Sequence, residues 1–177
     1  MNMEEGYVFW VTGLSGAGKT TIGKKLYEYI REYQNKVIFL DGDILRSVLD
    51  NSDYSSEGRK KLGMQYARLC KMLCSQGVFV VICVVAMFDE VRDWNRNNII
   101  NYKEIFLNVP FDELEKRNQK KMYSRAKKGE ISNVYGYDIN AELPKYPDVI
   151  IDNYGDVTSD IAFQIICENC LDNIIKA

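Results

Sequence analysis

The chain has 177 residues, 46% of them hydrophobic and 27% charged, with a formal net charge of -2. That size and composition suit one globular domain with a core of its own, and the charge gives no electrostatic case for DNA or RNA as a partner. Histidine is absent, which excludes Ser-His and Cys-His nucleophilic pairs, and the longest apolar run, 78–88, is about half the length of a membrane span.

In chain order, the N-terminal Met1-Asn2-Met3-Glu4-Glu5 lacks the basic and apolar regions of a secretory signal, so a cytoplasmic protein is expected. Tyr7-Val8-Phe9-Trp10-Val11-Thr12 then reads as a strand. Gly13-Leu14-Ser15-Gly16-Ala17-Gly18-Lys19-Thr20 follows as G-x-x-x-x-G-K-T and opens a helical pattern in which Ile22, Leu26 and Ile30 recur on one face. Strand, glycine-rich loop and helix are the context a phosphate-binding loop requires. Glycines let successive N–H groups point inward at phosphate oxygens, and the helix N-terminus adds partial positive charge. Lys19 can reach the outer phosphates of ATP, and the Thr20 hydroxyl can ligate Mg²⁺. The expected ATP-binding set is Gly13, Ser15, Gly16, Ala17, Gly18, Lys19, Thr20 and Thr21.

Val37-Ile38-Phe39-Leu40 is a short buried strand that ends in Asp41-Gly42-Asp43. Residues 51–56 are polar and turn-like. Leu62, Tyr66, Leu69 and Leu73 mark an amphipathic helix, with Gly77 as its C-terminal signal. The β-branched run 78–85 suggests a central parallel strand covered on both faces. A polar helix over 90–98 and a strand at Ile105-Phe106-Leu107 follow, and Pro110 suits the first turn of the next helix. Lys116, Arg117, Lys120, Lys121, Arg125, Lys127 and Lys128 then form the strongest charge run. It reads either as a solvated helix face or as a mobile lid over phosphates. Val149-Ile150-Ile151 is the last strand, and Val157, Ile161 and Ile165 mark the final helix. Cys167-x-x-Cys170 has metal-pair spacing, but it lies in that late helical pattern rather than after a strand. With Cys70, Cys74 and Cys83 these thiols read as reduced and packed.

Strands alternating with helices imply a single domain, a three-layer α/β sandwich with a mostly parallel sheet. Ligands in such folds bind beyond the carboxyl ends of the strands, where the loop 13–20, Asp41 and Asp43 fall. A phosphate loop beside two carboxylates supports phosphoryl transfer, which needs positioning and charge neutralisation more than covalent help. Lys19, Asp43 and Asp41 are therefore the candidate catalytic residues. Asp43, or less favourably Asp41, would accept the acceptor hydroxyl's proton, and either could hold the metal through water. The guanine-selective Asn-Lys-x-Asp pattern is absent, since Asn35-Lys36 runs into Val37-Ile38. A small-molecule kinase fits better.

At this point the chain resembles the adenylylsulfate kinase family, over nearly its full length. Gly13 to Thr20, Leu40-Asp41-Gly42-Asp43 with Arg46, and Pro110, Glu113 and Arg117 match its pattern. So do Tyr123, Ala126, Gly129-Glu130-Ile131, Asn133, Gly136 and Asp138, and the strand from Pro147 to Asp152. The resemblance implies a P-loop NTPase sandwich with a basic lid near 118–140 that includes Lys120, Lys121 and Arg125. It implies transfer from ATP to a ribose 3′-hydroxyl of a nucleotide acceptor, and a homodimer. Asp43 would be the base, Arg46 would contact the acceptor, and Arg117 would pack near the ATP adenine.

The chain departs from the family on the acceptor side. The D-R-x-x-N-x-R-R stretch reads Gly58-Arg59-Lys60-Lys61-Leu62-Gly63-Met64-Gln65, so only Arg59 survives. The arginine of I-S-P-x-R falls on Asp89. The family's two stacking phenylalanines fall on Tyr54 and on Val134, with Tyr135 as a substitute for the second. Cationic groups are thus expected to be lost where the acceptor's tail binds. A branch of the family acts on cytidine diphosphoramidate in bacterial capsule synthesis, and its neutral phosphoramidate end fits that loss. The first reading is therefore an altered acceptor of this kind. Adenylyl sulfate is the second, and a catalytically silent nucleotide-binding protein is the reading of another class.

Overall fold

The computed structural model describes residues 5–171 and 174; the first four residues, on which most of the expectation of no secretory signal rests, lie outside it. Five strands, β1 (Val8–Thr12), β2 (Val37–Asp41), β3 (Phe79–Val84), β4 (Tyr102–Asn108) and β5 (Val149–Asp152), form one sheet in the order β2-β3-β1-β4-β5. Every pairing is parallel, with Trp10 opposite Ile82 on one side and Glu104 on the other. The buried strands β1 and β3 sit inside the sheet, as their unbroken apolar runs require. β5, at one edge, alternates buried and exposed residues.

Successive side chains of a strand point to opposite faces, and the core divides accordingly. Phe9 and Val11 face α1 (Lys19–Tyr33) and α7 (Ser159–Ile166), packing with Ile22, Leu26, Ile30, Ala162 and Ile166. Val8 and Trp10 face α3 (Ser56–Cys74) and α4 (Asp89–Asn98), packing with Leu62, Tyr66, Cys70 and Val91. This is the three-layer sandwich the sequence implies. The remaining helices are α2 (Gly42–Val48), α5 (Phe111–Arg117) and α6 (Met122–Lys127), with a tight 3₁₀ turn at Gln119–Lys121 and a π turn at Cys167–Leu171.

Two elements differ from the sequence-based expectation. Asp41-Gly42-Asp43 starts a helix: Asp41 is the N-cap of α2, and its Oδ1 accepts the Asp43 N–H at 3.0 Å. In α7 the buried positions are Ala162 and Ile166, whereas Ile161 is 44% exposed and Val157 precedes the helix. Ile161, Ala162, Phe163, Ile165 and Ile166 are apolar nearly all round, so spacing alone does not pick the inward face. The Cys167/Cys170 pair lies in the π turn, with Cys170 buried and its thiol pushed up to about 11 by burial. Among the described residues no group of three or more Cys, Asp or Glu side chains is placed to hold a metal ion, and no helix is long and apolar enough to cross a membrane.

Candidate active site

The loop between β1 and α1 is shaped by glycines in left-handed backbone, Gly16 at φ 84° and Gly18 at φ 92°. A Cβ on Gly18 would also lie 2.7 Å from Asn153 Nδ2, so only glycine fits. The Lys19 ammonium curls back over the loop, donating to the carbonyls of Gly13 at 2.9 Å and Leu14 at 2.8 Å. Burial lowers its pKa to about 8, against the opposing pull of Cys83, Asp43 and Asp41. Tyr123 on α6 donates to the Ser15 carbonyl at 2.9 Å and fixes the loop's outer turn.

Both acidic residues reach this loop because β2 and β1 flank β3 and end level with each other. Asp41 lies opposite Cys83, and Thr12 opposite Val84. Thr20 Oγ1 donates to Asp41 Oδ2 at 2.8 Å. Asp43, in the first turn of α2, accepts a hydrogen bond from Lys120 Nζ at 2.7 Å, an exposed ion pair across the cleft. A hydroxyl and a carboxylate at this spacing suit Mg²⁺, which keeps several waters and takes few protein ligands beside substrate phosphates.

A cavity of about 630 Å³ runs from the loop to α3 and joins these groups. It is lined at one end by Ser15, Gly16, Gly18, Lys19, Thr20, Thr21, Asp41 and Asp43, and at the other by Arg46, Tyr54, Arg59 and Tyr135. The far end is an alternation of cations and rings. Arg46 lies 4.4 Å over the Tyr54 ring, and Arg59 lies 5.2 Å from Tyr54 and 5.0 Å from Tyr135. Arg46 also donates to Asn51 Oδ1 at 2.6 Å and to the Asp53 carbonyl at 3.0 Å. Tyr135 is buried and packs edge-on against Phe88 at 5.9 Å.

Not every expected residue lies on this wall. Gly13 and Ala17 shape the loop from behind, and Ala17 is fully buried. Val134 is buried in the core on the α1 side, so Tyr135 holds the cavity position that the sequence left open between them. Of the basic lid, Lys120 reaches the cavity; Lys121 and Arg125 point outward, and Arg125 pairs with Glu130 at 3.3 Å. Arg117 sits on the outer side of the loop, donating to Gly16 O at 3.3 Å and to Asn153 O at 2.8 Å, with Glu113 bracing it.

The positions that lack the family's arginines, 64, 65 and 89, do not line this cavity. At 100° per residue the cavity face of α3 carries Arg59, Leu62, Gly63 and Tyr66. Met64 is turned into the side-chain packing beside it and Gln65 to solvent. Asp89 pairs with Arg92 and Lys145 at the start of α4, off the cavity wall. The change that does reach the wall is Leu62, buried at the position of the expected asparagine.

Two site residues went unread in the sequence. Asn153 Nδ2 donates to the Ala17 carbonyl at 2.8 Å, and the residue receives Arg117 on its own carbonyl. The signal was a polar residue directly after the β5 run. Tyr66 donates to the Gly42 carbonyl at 3.2 Å, with its phenol pushed up to about 12 by burial. Its apolar spacing on α3 gave it a core role only.

Comparison with known proteins follows this geometry. A family model described as adenylylsulphate kinase matches residues 5–152. A cytidine diphosphoramidate kinase from Campylobacter jejuni is 41% identical over 147 residues, covering 83% of this chain and 86% of that one. A probable adenylyl-sulfate kinase from Pyrococcus abyssi is 35% identical over 150 residues, 84% of this chain and 86% of that one. Among solved structures, the Mycobacterium tuberculosis APS kinase CysC in complex with AMPPNP and APS superposes with a TM-score of 0.84 at 27% identity, covering 93% of this chain and 96% of that one.

Proposed function

The chain belongs to the adenylylsulphate kinase family, and on that premise we propose that it transfers the γ-phosphoryl group of ATP to the ribose 3′-hydroxyl of a nucleotide, with cytidine diphosphoramidate as the acceptor. The observation that carries the transfer is the single cavity that Asp43 lines together with the phosphate loop, Tyr54 and Tyr135. The loop amides and Lys19 hold the ATP phosphates. Thr20 and Asp41 would hold Mg²⁺, which would supply neutralisation of the phosphate charge. Asp43 takes the proton of the 3′-hydroxyl as its oxygen bonds to the γ-phosphorus and the bond to the ADP oxygen breaks. Lys120 leaves Asp43 for the incoming phosphates. Arg117 flanks the adenine of ATP.

The choice of acceptor is supported by the Campylobacter jejuni relative's name and by Leu62, an apolar side chain on the acceptor wall. A place in capsule synthesis, a cytoplasmic location and a homodimer belong to the same proposal. The test is coupled ADP release with ATP and, separately, cytidine diphosphoramidate, adenylyl sulfate and ordinary nucleoside diphosphates. Turnover of cytidine diphosphoramidate is expected, with kcat lowered about 10²–10⁴-fold by Asp43→Asn. Full activity in Asp43→Asn would overturn the choice of base. ATP binding without turnover of any acceptor would overturn the kinase reading in favour of a silent nucleotide-binding protein.

A further inference from the structure

Arg59 stands where a guanidinium could grip an anionic acceptor tail, but its bonds go elsewhere. It lies in the first turn of α3, half-buried between the Tyr54 and Tyr135 rings. Its Nε donates to the Tyr54 carbonyl at 2.9 Å, and its Nη2 donates to the Asn133 carbonyl at 2.6 Å. The Nε/Nη2 edge is the side-on fork that would otherwise hold two oxygens of one anion. Here each N–H holds a different wall of the cavity.

Each wall also has support on its own side: Arg46 lies over the Tyr54 ring and donates to the Asp53 carbonyl, and Tyr135 is buried against Phe88. Tyr54 lies in the 49–55 connection between α2 and α3 and is 50% exposed. Tyr135 lies in a turn built largely on itself. Asp138 accepts the Asn133 N–H at 2.8 Å and also the Val134 N–H, and the Val134 carbonyl accepts from Tyr137 and Asp138, both at 3.1 Å. Asn133 is left-handed at φ 63°, which turns its carbonyl out of that turn and toward Arg59. The two bonds of the fork thus join the α2–α3 connection to the C-terminal part of the lid.

We propose that Arg59 is a positioning residue that ties the two aromatic walls of the acceptor site together at a fixed separation, so that one side chain sets the slot for the base and couples it to the lid segment. This rests on the reading of Tyr54 and Tyr135 as the acceptor's walls. An ammonium cannot replace the fork, because a single nitrogen at the end of a flexible stem does not span two carbonyls in a fixed plane.

The test has two arms. In the ligand-free protein, amide exchange is followed at Tyr54 and Ser55 and at residues 133–138. Arg59→Lys and Arg59→Gln are each expected to speed both segments together by about tenfold. Arg46→Gln, which touches only the Tyr54 side, is expected to speed the first segment alone. Unchanged exchange at 133–138 in both Arg59 variants would overturn the tie. In the kinetic arm, with cytidine diphosphoramidate and with adenylyl sulfate as probes, both Arg59 variants are expected to raise the acceptor KM at least about tenfold while the KM for ATP stays within about twofold. Recovery of the wild-type acceptor KM by Arg59→Lys would show that charge alone matters and would overturn the proposal. If wild-type protein turns over neither probe, the functional reading fails, and the exchange arm still decides the role of Arg59.

Discussion

Lys19 is expected to change its charge state when nucleotide binds. In the ligand-free site its ammonium is satisfied by two loop carbonyls, and burial lowers its pKa to about 8. Bound phosphates favour the charged form and raise that value. Near pH 8.5 ATP binding is therefore expected to take up a proton, and near pH 6.5, where Lys19 is already charged, it is expected to take up none on this residue. Calorimetry in buffers of different ionisation enthalpy measures this directly, and equal uptake at both pH values would contradict the assignment. The sign for folding is the same: because the folded pKa is depressed, burial of Lys19 opposes folding below about pH 8 and that opposition fades as pH rises toward its unfolded value. Lys19 and Asp43 were legible in the sequence because a loop motif and a strand end fix where they fall. Asn153 was not, because its role depends on β5 lying next to β4 and on the Gly18 backbone approaching it, and neither follows from local pattern.

At the scale of elements, the sheet is held against α1 through Gly23. A Cβ there would lie 2.2 Å from Cys83 Sγ and 3.3 Å from Phe39, so the helix sits as close to β3 and β2 as a glycine allows. Alanine gains roughly 1 kcal/mol in helix propensity but forces this contact apart, at about 1–3 kcal/mol. Gly23→Ala is expected to lower the urea midpoint, and Cys83→Ala in the same chain to restore much of it. The lid behaves differently. Its Lys120–Asp43 pair is exposed, 70% and 78% by side chain, and such a pair contributes at most about 1 kcal/mol. Lys120→Ala is thus expected to shift Tm by only about 2–4 °C or less while lowering kcat at least about tenfold. A large fall in Tm with kcat unchanged would make Lys120 a structural strut. The central strands announced themselves as continuous apolar runs. α2 did not, because Asp41-Gly42-Asp43 has turn chemistry and the helix carries no buried residue to give it an apolar face.

For the whole molecule, one wholly parallel sheet places the groups proposed for donor and acceptor at a single edge, with the phosphate loop after β1, the acidic pair where β2 meets α2 and α3 closing the far side. The donor half follows from elements that any phosphate-loop kinase must keep. The proposed acceptor half does not, since it is assembled from the α2–α3 connection, one face of α3 and the turn at 133–138. Only the structure shows that positions 64 and 65 are off its wall and position 62 is on it. On the proposed function, this wall selects an acceptor other than adenylyl sulfate. A competition assay tests it most directly: equal concentrations of cytidine diphosphoramidate and adenylyl sulfate, limiting ATP, and the product ratio read as the ratio of kcat/KM. An excess of the phosphorylated cytidine product by about tenfold or more is expected; an equal or larger yield of phosphorylated adenylyl sulfate would contradict the claim.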